Sequence, residues 1–331
     1  MCHLINDLYS KFNEYSSMKN DFSKRPTYRE MESQIYYGQI KCQEKYKSTG
    51  LPCRNNAYYS YNNKYLCGIH SNKNERVELP KNNKAKRESF EKGYTLHLET
   101  VDQAAKENKV AGKSGQVICS KMLMMKGAPL VKGFLNVFPN YKHQNRKDGF
   151  GCMSLSPKSM GPIEHNQVGL PICKNLENFH QGNKVFPSEL DSDGKILPSF
   201  YELQKKMYED PIPHRHKQES YGNNVPRFSV WKSKDHVEKH FTYIESRQFY
   251  CNYYERFALK DSNFLKLKEK LKEGINLNIC GYDAYEVSPN DNIEKLYLDK
   301  SRPFGHEMVL YTLLTQNESD WPWRKYKTED F

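Results

Sequence analysis

No stretch of this chain approaches the roughly 20 consecutive apolar residues that a bilayer-spanning helix needs. The opening residues, MCHLINDLYSKFNEYSSMKNDF, lack the apolar core of a secretory signal. Both absences predict an intracellular protein, of cytoplasm or nucleus, with no membrane partner. No glycine-rich phosphate loop occurs in either the G-x-G-x-x-G or the Walker form. No paired-carboxylate metal motif is visible, which weighs against a metal-dependent nuclease. No internal repeat is found. Cysteine is present nine times, an odd number, and only three cysteines cluster at metal-like spacing. That pattern favours reduced thiols and a metal over a disulfide framework.

What the chain has instead is aromatic surface and basic charge. Only 37% of its 331 residues are hydrophobic, yet 24 Tyr, 16 Phe and 3 Trp supply large apolar faces for a core. The mean hydropathy of −0.91 is polar for a globular protein. Lys, Asn and Tyr are frequent throughout, as an AT-rich genome such as that of a large DNA virus would encode. The net charge of +11 is unevenly placed. Residues 1–150 carry 26 Lys and Arg against 14 Asp and Glu, and residues 151–331 carry 25 against 26. The first half is therefore the anion-facing half, with DNA or RNA as the partner it suits, although a Lys-rich solubilising periphery gives the same count.

Periodicity and breakers divide the chain into four parts and predict a helix-rich α+β protein. Residues 1–37 read as short amphipathic helices, 38–72 as a Cys/His module, 73–93 as a polar linker and 94–331 as the main domain. Helices are expected near 100–112, 175–186, 198–210, 233–259, 262–273 and 305–316. Strands are expected at 116–125, 132–140 and 276–287. The segment DGFGCMSLSPKSMGPIEHNQVGLP is too rich in breakers for a helix and long enough to shape a pocket.

Cys42, Cys53, Cys67 and His70 follow C-x10-C-x13-C-x2-H. Zinc takes four such ligands in a tetrahedron, and a C-x-x-H turn delivers two from one tight loop. Gly68 lies inside that turn, where a permissive backbone is expected. Four protein ligands leave no open position, so the predicted role is structural. Lys41, Lys45, Lys47, Arg54 and Lys64 flank the cluster with Tyr58, Tyr59 and Tyr61 between them, a mixture suited to phosphate contact and base stacking.

Three other constellations carry less. His236 and His240 stand at i, i+4, but Glu238 is misplaced for H-E-x-x-H, and a solvated helix face is the better reading. PHRHK at 213–217 reads as an exposed turn, with phosphate binding as the alternative. GYDAYE and SRPFGHE place Asp283, Glu286, Arg302, His306 and Glu307 beside glycines, in the manner of a pocket rim.

The segment KNLENFHQGNKVFPSE holds the most informative carboxylate. Asn175 can cap a helix, and Glu177 then sits in its first turn, where the dipole favours a negative charge. Leu176, Phe179 and Phe186 are expected to form its apolar stripe, with Glu177, His180 and Gln181 on a neighbouring face. By spacing alone an ordinary helix-start Glu is a better reading of the pattern than a catalytic one.

SLSPKSMGPIEHNQVGLPICKNLENFHQGNKVF resembles the signature of the NADAR family, whose members show a Glu-His-Tyr-Phe-Gln helix ending in a Lys-Phe pair. Glu177, Phe179, Gln181 and Phe186 fall on that pattern. Trp231 and the segment ending at Arg256 and Phe257 are similar to the family's tryptophan and its following helix. Asp283, Ala284 and Tyr285 resemble its Asp-Ala-Tyr-Trp turn, with Glu286 where the tryptophan would stand. SRPFGHEMVLYTLL is similar to its closing Asn-Arg-Leu-Gly helix. The resemblance covers about residues 150–315.

The resemblance implies an N-glycosidase that cleaves a ribose–base bond in ADP-ribose-type or ribosyl-pyrimidine conjugates, with no redox cofactor. It implies Glu177, Asp283 and Trp231 as catalytic residues: Glu177 beneath the sugar, Asp283 on the leaving base or the ribose hydroxyls, Trp231 stacked on the base. His180, Gln181, Tyr285, Arg302 and His306 would bind the ribosylated substrate, Arg302 through a phosphate. The competing expectation is a non-catalytic, zinc-containing nucleic-acid-binding or virion-packaging protein.

Overall fold

The computed structural model describes residues 41–78, 83–123, 128–217 and 225–327, so the helices expected in 1–37 lie outside the described residues. The chain divides into two compact units, Met1–Gly93 and Tyr94–Phe331. Helices and sheets are both present, as an α+β reading requires.

The first unit is built on a small antiparallel sheet. β1 (Tyr59–Tyr61) pairs with β2 (Lys64–Leu66) on one side and β3 (Val77–Glu78) on the other. Asn62 and Asn63 join β1 to β2 with φ of 48° and 56°, left-handed values that a tight two-residue hairpin needs and that Asn tolerates. A second hairpin-like loop precedes it, closed by bridges Lys41↔Asn56 and Lys45↔Pro52. Among the described residues its core cluster is Cys42, Cys53, Leu66 and Cys67, with Tyr46 and Tyr61 packed against them. Three of those four buried residues are thiols, which leaves little ordinary hydrophobic stabilisation.

The helix α1 (Asn83–Val110) begins where the sequence suggests a polar linker. It ends as expected before Gly112, whose φ is +64°. Beyond it, the second unit is organised on four parallel strands in the order β4-β10-β5-β6. These are β4 (Val117–Lys121), β5 (Phe134–Phe138), β6 (Phe150–Gly151) and β10 (Asn276–Gly281). All six residues of β10 are buried, as a strand flanked on both sides should be. Its two buried asparagines are satisfied internally: Asn278 Nδ2 donates to Asn136 Oδ1 (3.0 Å) and Asn276 Nδ2 to the Gly133 carbonyl (3.1 Å).

Helices α2 (Leu176–Gly182) and α3 (Pro198–Glu209) pack together. A hydrogen-bonded knot fixes them: Asn183 Nδ2 and Gln167 Nε2 both donate to the Tyr208 hydroxyl, at 2.7 and 2.8 Å. The α2 helix is shorter than expected. Phe186 lies beyond it, past β7 (Lys184–Val185), and stacks on His216 rather than extending the helix stripe.

The long helix expected over 233–259 is instead a hairpin followed by a helix. β8 (Phe228–Lys232) pairs antiparallel with β9 (Glu238–Phe241), and β7 joins the other edge of β8. His236 sits in the turn with φ of +60° and His240 is in a strand, so neither lies on a helix face. The helix α4 (Tyr243–Ala258) starts only after Thr242, whose hydroxyl and Glu245 form a capping box. Next come α5 (Ser262–Lys272), capped by Asp261, α6 (Ile293–Leu298), α7 (His306–Thr315) and α8 (Pro322–Lys325).

Candidate active site and metal cluster

Asn175 caps α2 by accepting the Asn178 N–H at 2.8 Å. Leu176 and Phe179 are fully buried and anchor the helix in the main core, leaving Glu177 partly buried beside it. Gln181, one turn later, donates from Nε2 to Glu177 Oε1 at 3.2 Å. Its own oxygen accepts from Lys184 Nζ at 3.1 Å. His180 packs its ring on Tyr250 of α4, with centroids 4.7 Å apart. Burial, with a smaller push from Lys184, holds the His180 imidazole well below its ordinary range, so it is neutral near pH 7. Its Nδ1 is buried without a partner among the described residues. Burial raises the Tyr250 phenol far above its ordinary value, and the charges of Glu177 and Glu307 add to the effect.

The PHRHK segment is not an exposed turn as a whole. Asn178 Nδ2 donates to the carbonyls of Asp210 and Ile212, both at 2.9 Å, and its Oδ1 accepts the His214 N–H at 2.9 Å. His216 is buried, with Nε2 3.1 Å from Glu189 Oε1. The segment is thereby pinned to the helix that carries Glu177. Arg215, between the two histidines, is exposed and reaches Asp283, with Nη2 3.6 Å from Oδ2.

Asp283 follows β10 at the carboxyl edge of the parallel sheet, the usual ligand-facing edge of such sheets. The buried Glu307 side chain lies against the same strand end. A Cβ built on Gly281 would come within 1.9 Å of Glu307 Oε1, so only glycine leaves that carboxyl its space. Burial raises Glu307 above the ordinary carboxyl range; His306 pulls it down and Asp283 pushes it up. His306 holds its Nδ1 3.1 Å from Glu307 Oε2 and its Nε2 3.1 Å from the Pro139 carbonyl.

Glu177, His180 and Gln181 thus share one helix surface against Tyr250. Asp283 and His306 stand at the sheet edge with Arg215 and Glu307. Arg302 and Tyr285 form a separate pair, with the guanidinium carbon 5.2 Å from the ring centroid. Trp231 is only 5% exposed; its ring packs against Phe179 and Phe249, at 6.0 and 5.9 Å. Sequence reasoning noted PHRHK but favoured an exposed turn, and missed the Arg215–Asp283 and His216–Glu189 pairs. The cue was Asn178, a polar residue on the buried side of α2 whose amide needed partners.

In the first unit, Cys42 Sγ, Cys53 Sγ, Cys67 Sγ and a His70 ring nitrogen all lie within 4.8 Å of one another, an arrangement that can hold one metal ion. His70 Nδ1 is 3.3 Å from Cys42 Sγ and 3.4 Å from Cys67 Sγ, and the Cys53 and Cys67 sulfurs are 3.9 Å apart. The hairpin-like loop supplies Cys42 and Cys53: Cys42 N donates to the Asn55 carbonyl and Cys53 N to that of Glu44. This is how the C-x10-C spacing closes. The Cys67–His70 turn follows β2, with the His70 N–H donating to the Cys67 carbonyl at 3.1 Å. Gly68 does not take a left-handed φ, and a Cβ there would meet only ordinary contacts. Burial opposes ionisation of Cys67, yet the His70 and Ile69 N–H groups bring its thiol down to about 6.

No family model, curated protein or solved structure matches the chain. The functional reading therefore rests on the geometry of the two sites. Among the described residues no helix is long and apolar enough to cross a membrane.

Proposed function

We propose that the second unit is an N-glycosidase of NADAR type, acting on a ribosylated nucleotide. The observation that carries the reading is the held carboxylate: Glu177 is partly buried, fixed by Gln181 and set beside the buried ring of Tyr250. In this reaction the bond from the ribose carbon to the base nitrogen breaks, and its electron pair leaves with the base. The sugar passes through an oxocarbenium-like ion. Glu177 stabilises that cation and takes a proton from the attacking water, whose oxygen forms the new bond. Gln181 keeps one carboxylate oxygen oriented. Asp283, exposed and paired with Arg215, receives the ribose hydroxyls or protonates the departing base. Arg215 and Arg302 offer planar forks of donors for a phosphate. The test is base release from ADP-ribosylated nucleosides, ADP-ribosylated DNA and ribosyl pyrimidine phosphates, read by mass for the wild type and Glu177→Gln.

We also propose that the metal cluster holds a structural zinc ion. Tetrahedral zinc with sulfur at about 2.3 Å and nitrogen at about 2.0–2.1 Å separates its ligands by about 3.8 Å (S to S) and about 3.6 Å (S to N). Three of the six separations, 3.3, 3.4 and 3.9 Å, fit those edges, and all six lie within 4.8 Å. With three thiols in a four-residue core, the ion would supply most of the folding energy of this unit. Free thiols in such a cluster fit a reducing, intracellular compartment. The basic first unit would then bind DNA or RNA.

A second reading, a non-catalytic zinc-containing nucleic-acid-binding or packaging protein, is favoured by one observation. Trp231 is built into the core and Glu286 stands at the other tryptophan position, so neither offers a free ring to a base. Inactivity across the substrate panel together with retained nucleic-acid binding would select it.

A further inference from the structure

The first unit carries a concavity beside the metal cluster that the glycosidase chemistry does not use. Lys41, Arg54, Asn55, Asn56, Tyr58 and Ile69 line a shallow depression of about 430 Å³, together with Cys67 and Gly68. The volume lies within the range of small-ligand sites, about 300–1,000 Å³.

The lining has two cations, two amides and two apolar faces, and no carboxylate. Tyr58 is 54% exposed and Ile69 is 74% exposed, although the core formed by the described residues of this unit is small. Ile69 is held in place by the tight turn between Cys67 and His70, so a rigid scaffold presents it. Lys41 donates from Nζ to Asn56 Oδ1 at 2.7 Å, which fixes that cation at the rim. The acid on the adjoining loop, Glu44, is neutralised by Lys64 at 2.6 Å. The local field is therefore positive over an exposed ring and an exposed aliphatic side chain.

An acidic peptide would use the cations but leave the ring and the aliphatic face bare. A duplex would offer phosphates but keep its bases stacked out of reach. An unstacked base with its flanking phosphates uses both the cations and the two apolar faces. We propose that this concavity is a seat for single-stranded nucleic acid, in which a base packs on Tyr58 and Ile69 while Lys41 and Arg54 meet the adjoining phosphates. The proposal deepens the nucleic-acid part of the function proposed above, and it is independent of whether Glu177 hydrolyses anything.

The test is a fluorescence-anisotropy titration of the full zinc-loaded chain with labelled single-stranded DNA and RNA, the matching duplex and an acidic peptide, over a series of salt concentrations. Tyr58→Ala should weaken single-strand binding roughly 5- to 150-fold, the range measured for loss of one stacked base, and Tyr58→Phe should retain it. Arg54→Gln should lower the slope of log affinity against log salt by about one unit. Zinc content and melting temperature report whether each variant is folded; the exposure of both residues predicts no change in either. Unchanged single-strand affinity in folded Tyr58→Ala and Ile69→Ala would overturn the proposal, as would equal or tighter binding of the duplex or the acidic peptide. Glu177→Gln should bind single strands like the wild type. A failure of base release with Tyr58-dependent binding intact would thus remove the glycosidase and leave the seat standing.

Discussion

Gln181 Nε2 donates to Glu177 Oε1 over 3.2 Å, from one turn further along the same short helix. The Gln181 amide is in turn oriented by Lys184, which donates to its oxygen at 3.1 Å. A carboxylate held through a held amide is pre-aimed, so the protein need not order it during reaction. Gln181→Ala should therefore lower kcat for base release by about 10-fold or more, a loss of roughly 1.4 kcal/mol of transition-state stabilisation, while KM changes little. Steady-state kinetics on the best substrate of the panel would check this, and an effect confined to KM would contradict it.

Asn178 should matter through the loop it holds. Its side chain makes three hydrogen bonds to the backbone of residues 210–214. Asn178→Ala leaves buried groups unpaired and should cost about 1–3 kcal/mol in denaturant unfolding. It should also raise KM, because Arg215 is carried by the same segment. Arg215→Ala should raise KM without the loss of stability.

Metal analysis of the purified chain should find one zinc per molecule. Cys53→Ser should lose it and expose residues 41–78 to proteolysis, because three of the four residues in the core cluster there are ligands. Chelation of the wild type should reproduce the cleavage. Stoichiometric zinc retained in Cys53→Ser would remove this ligand from the set.

Glu307 makes stability pH-dependent in a direction that can be worked out. Its folded carboxyl is raised by burial above the ordinary value of 4.5, with His306 opposing and Asp283 reinforcing. Between those two values the folded state binds more protons than the unfolded state, so this group's contribution falls as pH rises from about 4.5. Glu307→Gln mimics the protonated form. Its stability advantage over the wild type should grow from pH 4.5 towards 7, measured by urea unfolding at both pH values. A constant difference would mean that the carboxyl is not shifted.

Gly281→Ala should clash with Glu307 Oε1, which a Cβ would approach to 1.9 Å, and cost about 1–3 kcal/mol or more. Removing the carboxyl in Glu307→Ala should relieve much of that cost. A double-mutant cycle would show non-additivity if the two groups share the space as described.

The sequence made some of this legible for identifiable reasons. Asn175 reads as a cap because its side chain can do only a few things before an apolar run, and C-x-x-H reads as a metal turn because two ligands cannot otherwise lie so close. The strand at Asn276–Gly281 alternates polar and apolar residues, and α7 follows a glycine. The 228–241 hairpin was hidden because its charged second strand also fits a helix period; the T-x-x-E capping box at Thr242 was the overlooked cue. The parallel order of the main sheet could not be read, since it depends on pairing across more than 130 residues, as between Asn136 and Asn278. Arg215 and His216 were hidden for the same reason: their positions are set by Asn178, Glu189 and Asp283, all remote in sequence.

The most direct test of the central claim is base release by the wild type and by Glu177→Gln, with thermal unfolding of both. The account predicts release of free base by the wild type and a loss of at least about 100-fold in the variant at unchanged melting temperature. Equal release by both proteins would reduce Glu177 to a charge at a helix start and contradict the assignment.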